Sequence, residues 1–474
     1  MTKDEYSAKQ VACPVHGTIG LSQLELDLLE TKAFQRLRNV KQLGLAHYVF
    51  PGADFSRLSH SLGVCHITGL FLRHLVDIGT EIDNDEMRHF RVAALIHDLG
   101  HYPFSHPMES ALEALYPGPE VAAVEGVGAQ KQKSKAERYH HEDLSALVFE
   151  RDPEIKDVLK RHGKEVDVGI VLRILQGKEP SLSNLVKSDL DADQLDYLLR
   201  TAIHSGLPYG QIDLDYLISQ MVRDKEDRLC FLPKALNAVD HCLLGRYFDR
   251  MTVAYHKTVA GFELLLQKVI SDLVSEGELK ATKKDIEDRI DGGQWAEFDD
   301  SFIVGKMRNV LEKKPAADLR ERIDAILHRR PLRVITQLEY LSDRNDQSFV
   351  GQEETVKAAL SRWQEESKLS FWDCWSKGGF TLTSLGGMTP ITIARKLTPQ
   401  DLEESAHILV AKDEPARPVQ EVERSLMRVL SQEAYYALRV YALVPDQSKE
   451  TVTQLRKMLK ADLKDPRWQY LSTA

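Results

Sequence analysis

The sequence has little of what marks a membrane, secreted or disulfide-bonded protein. No apolar run in its 474 residues approaches the length of a membrane span. The first residues, MTKDEYSAKQVACP, lack the apolar core of a signal peptide. The five cysteines are scattered and include no CxxC pair, which argues against a disulfide framework or a thiolate zinc site. We therefore expect a cytoplasmic protein that does not enter a membrane.

The chain also lacks an excess of positive charge. The chain carries 62 lysines and arginines against 72 aspartates and glutamates, a net charge of −10. A polyanion is attracted by a positive field, so this balance argues against a general nucleic-acid coat. A local basic patch that binds a nucleotide or a nucleic acid stays open, although nucleic acid is not the favoured partner.

Histidine, in contrast, is crowded into one part of the chain. Nine of the 17 histidines lie between His60 and His141. Even spreading would place about three there. Imidazole binds metals and transfers protons near neutral pH. We therefore expect the chemistry of this protein in the first third of the chain.

Hydrophobic periodicity predicts a mainly α fold. Apolar residues recur at spacings of three and four through much of 20–275, which is typical of amphipathic helices. The predicted helical segments include 22–40, 62–78, 85–99, 143–147 and 253–273. We expect a helical domain over 1–275 and a smaller, charged C-terminal lobe of helices and mixed α/β structure over 276–474. Within the first domain, the segment 107–139 contains a stretch rich in Gly, Pro and Lys, which predicts a flexible loop.

The C-terminal lobe shows a different pattern. Helices are predicted over 283–290 and 315–328, and a loop or short strand between glycines over 378–388. Two later segments, which begin at His407 and Ala437, each have the pattern of a strand, a turn containing Pro and an amphipathic helix.

The segment ALIHDLGHYPFSH at 94–106 contains the first candidate metal ligands. An apolar run ends there in His97 and Asp98, before Gly100 and Pro103 stop the helix. An ionised Asp98 among apolar neighbours is costly to bury unless a cation or a hydrogen-bond donor compensates it. Imidazole and carboxylate are ordinary ligands of Zn, Fe and Mn. From the residues alone, a metal site and a structural His–Asp hydrogen bond are equally open.

A third candidate ligand lies on the preceding helix, in RLSHSLGVCHITGLF at 57–71. Spacings of four, three and four place His60, Val64, Ile67 and Phe71 on one inward stripe. Arg57 leaves the same face if the helix begins that early. His60 is either a metal ligand or a core histidine with an ordinary hydrogen bond.

A fourth candidate comes from DLDADQLDYLLRTAI at 189–203. On a helical wheel, Asp193, Asp196, Tyr197 and Arg200 fall on one arc, opposite a face of leucines. The arc is either a solvated face with pairs such as Asp196 and Arg200 or the lining of a cleft. In the second case Asp193 supplies a carboxylate to a metal.

These residues, in this order on helices, resemble the HD phosphohydrolase superfamily. More narrowly, the chain is similar to the deoxynucleoside triphosphate (dNTP) triphosphohydrolases, which include the bacterial dGTPase-like enzymes and the vertebrate SAM-and-HD-domain dNTPase. The resemblance extends over roughly 13–275, and a weaker similarity is present near RVYALVPDQ. The matching motifs are KQLGLAHYVFPGADFSRLSHSLGV at 41–64, HDLGHYPFSH at 97–106, HHED at 140–143 and DADQLDYLLR at 191–200.

The resemblance implies a metal-dependent hydrolysis of dNTPs to deoxynucleoside and inorganic triphosphate, by attack of water at the α-phosphorus. The implied ligands of one divalent transition metal (Fe, Mn or Zn) are His60, His97, Asp98 and Asp193, and Mg²⁺ or Mn²⁺ accompanies the triphosphate. The implied catalytic residues are His101 and His106 near the triphosphate and the attacking oxygen, with Glu109 as a possible orienting carboxylate. His141 is the expected proton donor, followed in the sequence by Glu142, which could orient it. From the residues alone, His140 and His141 are equally ordinary loop histidines.

The resemblance also implies the substrate-binding residues. Gln42 is expected at the sugar and Leu43 where a ribose 2′-hydroxyl would be crowded, with Tyr197 beside the sugar and phosphates. The expected cationic and polar partners of the triphosphate are Arg57, Arg246, His256 and Lys257. Relatives form dimers, tetramers or hexamers, and some need a nucleotide activator, so a homo-oligomer is expected.

Two positions depart from the family pattern. Gln194 replaces a basic residue that commonly follows the fourth ligand, and Thr201 stands where an Asp usually accepts from the 3′-hydroxyl. An HD phosphohydrolase acting on another nucleotide or a DNA 3′ end therefore stays open. So does a nucleotide-binding sensor without turnover.

Overall fold

The computed structural model is mainly α, as the periodicity predicts. It describes residues 8–116, 138–178, 182, 185, 190–226, 228–343, 346–380, 407–409, 415–445 and 448–469. The first fifteen helices are α1 Gln23–Leu29, α2 Lys32–Arg36, α3 Arg57–Asp77, α4 Asn84–Ile96, α5 His106–Leu115, α6 His141–Arg151, α7 Pro153–Arg161, α8 Val168–Leu175, α9 Ala192–Ser205, α10 Leu214–Ser219, α11 Leu236–Asp249, α12 Lys257–Ser275, α13 Lys283–Asp291, α14 Asp300–Glu312 and α15 Ala317–Leu327. No described helix is long and apolar enough to cross a membrane.

Helix α3 lies at the centre of the helical part and packs against α4 and α9. Ser56 caps it by accepting from the amide of Ser59, so the helix begins at Arg57 and carries Arg57 and His60 on successive turns. A Cβ at Gly63 would lie 1.8 Å from Oδ1 of Asp196. Only glycine therefore allows α3 and α9 to approach this closely.

The strands form three small sheets. An antiparallel hairpin, β1 Lys9–Cys13 and β2 Gly17–Leu21, precedes α1. A second sheet has the order β3, β4, β7, β8, and a third has β9 between β5 and β6, antiparallel to both. The bounds are β3 Met221–Arg223, β4 Leu229–Phe231, β5 Arg333–Asp343, β6 Trp372–Phe380, β7 His407–Ile408, β8 Arg417–Pro418 and β9 Glu433–Ala442.

Three further helices belong to the C-terminal half: α16 Gln347–Ser367, α17 Met427–Leu430 and α18 Lys449–Leu459. The strand and helix predicted from Ala437 onward are present as β9 and α18. The segment from His407 forms the two-residue strands β7 and β8 and the one-turn α17, so the predicted amphipathic helix is limited to one turn. The glycine-flanked segment lies outside the described residues from 381 onward.

Two hydrophobic clusters account for most of the core. The larger joins α1 to α15, whereas a second joins β5, β9, α16 and α18 between Ile335 and Trp468. The proposed domain boundary at 275 coincides with the end of α12. However, α13, α14 and α15 contribute to the larger cluster. The division at 275 therefore stays a prediction.

The flexible loop predicted over 107–139 begins too early. Its first nine residues belong to α5, in which Pro107 occupies the first turn, where a missing amide hydrogen costs nothing. Residues 117–137 lie outside the described part of the chain.

Candidate active site

The metal-ligand candidates come together where α3, α4 and α9 meet. His60 Nε2 lies 2.8 Å from Asp193 Oδ1 and 3.9 Å from Asp98 Oδ2. His97 Nε2 lies 3.4 Å from Asp98 Oδ1 and 4.0 Å from Asp193 Oδ1. His60, His97 and Asp193 each offer a ligand atom within 4.8 Å of the others. All four residues face one small volume.

The local backbone explains how two of these side chains reach that volume. His97 is the C-terminal cap of α4, and Asp98 begins the tight turn that follows. A Cβ at Gly100 would lie 2.1 Å from the amide nitrogen of Ser145. Glycine thus lets this turn pack directly onto α6, which holds His97 and Asp98 against α3.

The donor set fits a divalent transition metal. His97 Nδ1 lies 2.8 Å from the carbonyl oxygen of Ala94, which can only accept, so Nδ1 carries the hydrogen and Nε2 keeps its lone pair. That Nε2 is buried and has no hydrogen-bond partner. A buried nitrogen lone pair facing carboxylates is unfavourable unless a cation binds it. Two imidazoles and two carboxylates suit Zn, Fe or Mn.

The electrostatics of the cluster also favour a cation. Burial lowers the pKa of His60, but Asp193 and Asp196 outweigh it and raise that pKa to about 10. Burial raises the pKa of Asp98, but Arg57 and the neighbouring histidines hold it well below its usual range. The carboxylates are thus ionised, and positive charge is stabilised where the ligand atoms converge.

A second group of side chains lies beside the metal-ligand cluster. The rings of His101 and His141 stack with centroids 4.0 Å apart, and His106 meets both edge-on. His101 Nε2 lies 3.1 Å from Asp98 Oδ1, so the two groups are in direct contact. Glu109 Oε2 lies 3.0 Å from His141 Nδ1 and 3.6 Å from His106 Nδ1. The structure therefore brings the predicted catalytic histidines and Glu109 together.

Protonation differs within this second group. Burial raises the pKa of Glu109, but hydrogen bonds from His106, His140 and His141 outweigh it and lower that pKa. Burial lowers the pKa of His141, but the hydrogen bond to Glu109 outweighs it and raises that pKa. Burial holds the pKa of His101 well below its usual value. His141 is therefore the member of this group that is charged most readily.

The turn before α5 is strained. Phe104 and Ser105 have φ of +58° and +62°, a region that residues with a side chain rarely adopt. Arg57 Nε donates to Ser105 Oγ at 2.7 Å, and the amide of Phe104 donates to Asp300 Oδ1 at 2.6 Å. These contacts hold the strained turn and place His106 beside His101.

Comparison with known proteins places this arrangement in a family. A family model described as the HD domain matches residues 57–196. This range contains all four ligand candidates and the second group of His101, His106 and His141. The chain therefore contains an HD domain over these residues. Its HD domain thus carries a candidate site for a divalent metal.

Relatives of this chain are known from several organisms. An uncharacterised protein of Bacillus subtilis is 32% identical over 260 residues, which cover 54% of this chain and 54% of the relative. A protein of Dictyostelium discoideum named as a deoxynucleoside triphosphate triphosphohydrolase homologue is 28% identical, over 56% of this chain and 49% of its own. The chain spans about half the length of the curated relatives it matches.

A solved structure extends the similarity to the whole fold. A hypothetical protein from Aquifex aeolicus superposes with a TM-score of 0.66 and 25% identity, covering 95% of this chain and 100% of that chain. The similarity to that structure thus extends over nearly the whole length of this chain.

The predicted substrate residues lie at varied positions. Gln42 is buried and its Oε1 has no hydrogen-bond partner. Leu43 packs with Val253 of the turn between α11 and α12. The hydroxyl of Tyr197 hydrogen-bonds the carboxylate of Asp249. The side chains around Tyr197 thus form a largely buried polar group one turn along α9 from Asp193.

The four residues predicted to bind the triphosphate occupy different environments in the structure. Arg57 is buried, and its Nη1 donates to Asp98 Oδ2 at 2.6 Å, so it holds a candidate ligand. Arg246 is buried on α11. Lys257 is exposed, and His256 caps α12 by accepting from the amide of Thr258. The phosphate role of His256 and Lys257 therefore stays a prediction.

The orienting partner of His141 is Glu109. Glu142 was an alternative, but its side chain is exposed in the first turn of α6. Glu109 accepts from both Nδ1 and the backbone amide of His141. Position in sequence favoured Glu142 as the neighbour, whereas the packing of α5 against the start of α6 brings Glu109 to the ring.

Two buried carboxylates near the site were missed as functional candidates. Asp196 accepts from His60 Nδ1 at 2.7 Å and so orients a candidate ligand. Its position on the polar arc of α9 was the signal that could have identified it. Asp249 is 3% exposed, and its Oδ2 has no hydrogen-bond partner. Nothing in the local sequence around Asp249 indicates that it is buried beside Tyr197.

Asp249→Asn is expected to stabilise the protein at neutral and alkaline pH. Burial raises the pKa of Asp249 to about 7, despite the Tyr197 hydrogen bond and nearby Arg250. Between the ordinary carboxyl pKa and pH 7, the folded state holds a proton that the unfolded state has lost. This group therefore makes the free energy of unfolding fall by about 1.4 kcal/mol per pH unit over that range.

Urea unfolding of both proteins at pH 5 and pH 7 tests this prediction. The advantage of the variant over the wild type should grow by roughly 2–3 kcal/mol between the two conditions. Asp240→Asn is a matched control, because Asp240 lies on the same helix but accepts from Ser425 and Leu426. An advantage of Asp249→Asn that shrinks with pH would contradict the prediction.

Proposed function

We propose that this protein hydrolyses dNTPs to deoxynucleosides and inorganic triphosphate, with a divalent transition metal held by His60, His97, Asp98 and Asp193. The observation that carries the proposal is the buried, unpartnered Nε2 of His97, which faces these ligands beside the stacked pair of His101 and His141. The Dictyostelium relative, which is named as a deoxynucleoside triphosphate triphosphohydrolase homologue, supports the same reaction. Fe, Mn and Zn all suit the donor set.

A metal bound at this site would polarise a phosphoryl oxygen and promote deprotonation of water near neutral pH. The chain itself supplies position and proton transfer. Arg57 fixes one oxygen of Asp98 and leaves the other toward the histidines. His101 and His106 line the approach of the triphosphate, which Mg²⁺ or Mn²⁺ accompanies.

His141 is the proposed general acid. In the reaction, an oxygen of water bonds to the α-phosphorus, and the bond from that phosphorus to the sugar 5′-oxygen breaks. The leaving oxygen then needs a proton, which a protonated imidazole can give. Glu109 raises the pKa of His141 and fixes its Nδ1, leaving Nε2 as the donating atom.

The sugar is proposed to lie along α9 toward Tyr197. Asp193 and Tyr197 are one turn apart on the same face, and Gln42 supplies a buried unpartnered oxygen. Leu43 is the residue that would crowd a 2′-hydroxyl. Arg246, with His256 and Lys257 farther out, is proposed for the phosphates. A homo-oligomer and a nucleotide activator are proposed from the family resemblance alone.

A second candidate is an HD phosphohydrolase that acts on another nucleotide or on a DNA 3′ end. The observation that favours it is Thr201, whose buried hydroxyl has no hydrogen-bond partner and offers a weaker acceptor than a carboxylate. A sensor without turnover is less favoured, because all four candidate ligands face one volume.

Product analysis tests the proposal. Metal-loaded protein is incubated with each of the four dNTPs, singly and mixed, and the products are separated by anion exchange. We expect deoxynucleoside and triphosphate in equal amounts. Orthophosphate or pyrophosphate would reject the mechanism, and turnover confined to a ribonucleotide, a monophosphate or a 3′-phosphorylated oligonucleotide would favour the second candidate. Activity only in mixtures would indicate an activating nucleotide.

A further inference from the structure

The N-terminal hairpin reaches the metal-ligand cluster through one side chain. His16 lies in the turn between β1 and β2, where Gly17 adopts a φ of +70° that the tight turn requires. The His16 side chain is only 4% exposed, and its Nε2 lies 2.6 Å from Asp196 Oδ1. The two residues are 180 positions apart, so this contact exists only in the folded chain.

Asp196 accepts four hydrogen bonds. Its Oδ1 receives His16 Nε2 and Arg200 Nη2, and its Oδ2 receives His60 Nδ1 and Arg200 Nε. Burial raises the pKa of Asp196, but these partners outweigh it and lower that pKa. An ionised carboxylate can only accept, so His16 Nε2 carries the hydrogen. All four lone-pair positions of Asp196 are occupied.

Full occupancy fixes the direction of the carboxylate. With Oδ1 held by His16, Oδ2 stays directed at Nδ1 of His60. That hydrogen bond keeps the hydrogen of His60 on Nδ1 and leaves Nε2 for a metal. Arg200 lies on the same helix as Asp196, whereas His16 comes from a separate element. The hairpin thus fixes the Asp196–His60 hydrogen bond from outside α9.

We propose that His16 is a positioning residue, through which the N-terminal hairpin sets the metal affinity of the site by way of Asp196 and His60. The inference rests on the proposed function only for the identity of the cluster as a metal site. It assigns the hairpin a role in assembling the centre, distinct from binding or converting the substrate.

Three full-length variants test the inference. His16→Gln keeps an N–H donor, and His16→Leu removes it at similar volume. His66→Leu is the matched control, because the His66 ring lies 5.4 Å from that of His16, whereas the donors to Asp196 are His16, His60 and Arg200. Metal-free proteins are titrated with Co²⁺, whose visible absorption reports the donor set, and melting temperatures are measured without metal.

The expected result is a Co²⁺ dissociation constant raised about 10- to 100-fold in His16→Leu, the usual cost of losing an outer-shell partner. His16→Gln should return within a few-fold of the wild type, and His66→Leu should match it. Affinity unchanged in His16→Leu would overturn the inference. Equal losses in all three variants would also overturn it, because they would indicate only a packing role.

A measurement on the wild type covers the case in which His16→Leu does not fold. Linkage is reciprocal, so metal binding must stabilise the docked hairpin if the hairpin stabilises the metal. Amide hydrogen exchange over residues 9–21 should slow when Co²⁺ is added, and unchanged exchange would refute the inference. Neither measurement uses a nucleotide. A protein that shows this coupling but releases no triphosphate would contradict the proposed function alone.

Discussion

Replacing His97 with alanine is expected to abolish metal binding and to lower triphosphate release by well over about 100-fold, more than the loss of an outer-shell partner costs. His97 Nε2 makes no hydrogen bond, and Nδ1 makes one to a backbone carbonyl. The metal-free protein should therefore lose only about 1–2 kcal/mol of its free energy of unfolding. Metal content by mass spectrometry, triphosphate release and urea unfolding are measured on the same preparation.

His89→Ala is the matched control. His89 lies on α4, the helix that His97 caps, and its Nε2 accepts from the amide of Asp167 far from the ligand candidates. This variant should keep its metal and its activity. If His97→Ala retains both as well, the assignment of the metal site is wrong. If metal-free His97→Ala loses as much free energy of unfolding as a disrupted core would, then His97 has a structural role and not a role as a metal ligand.

Replacing His141 with alanine is expected to lower kcat by about 10²- to 10⁴-fold, the usual contribution of a general acid. Metal affinity should change little, because His141 contacts His101 and Glu109 and lies outside the ligand set. The measurement is kcat for the four dNTPs together with Co²⁺ affinity. A variant that loses its metal would indicate that the two histidine groups form one structural unit.

The pH profile identifies the role of His141 more specifically. Because the protonated imidazole is the active form, kcat should fall as pH rises through the pKa of His141. Glu109 raises that pKa, so Glu109→Gln should move the alkaline limb to lower pH. A dNTP analogue with sulfur at the 5′ bridging position needs less protonation of its leaving group. His141→Ala and Glu109→Gln should therefore slow the hydrolysis of this analogue much less than that of the normal dNTP. If both substrates are slowed equally, the role of His141 as general acid is contradicted.

Much of the candidate site was predictable from local sequence. His97 and Asp98 end an apolar run, and the spacing around His60 and Asp193 places each on a defined helix face. The residues alone left metal and structural roles open, and the resemblance selected the metal. The start of the loop predicted over 107–139 was wrong, because residues 107–115 belong to α5.

Other features depended on contacts across the chain. Asp196 had the pattern of a solvated partner of Arg200, but the glycine contact between α3 and α9 buries it against His60. The start of α3 also places Arg57 on Asp98, a contact that the local sequence did not predict. The one-turn length of the helix after His407 was not apparent from the periodicity of the sequence.

The sequence by itself determined which helices form and which side chains each helix presents, because periodicity, capping residues and glycines act within a few positions. It thereby specified the two histidines and two carboxylates of the candidate metal site. Only the tertiary structure decided which side chains support them: Glu109 for His141, and Asp196 with His16 for His60. These partners lie 32, 136 and 180 positions apart along the chain. Hydrogen bonds over such separations follow from how helices pack, which no local pattern encodes.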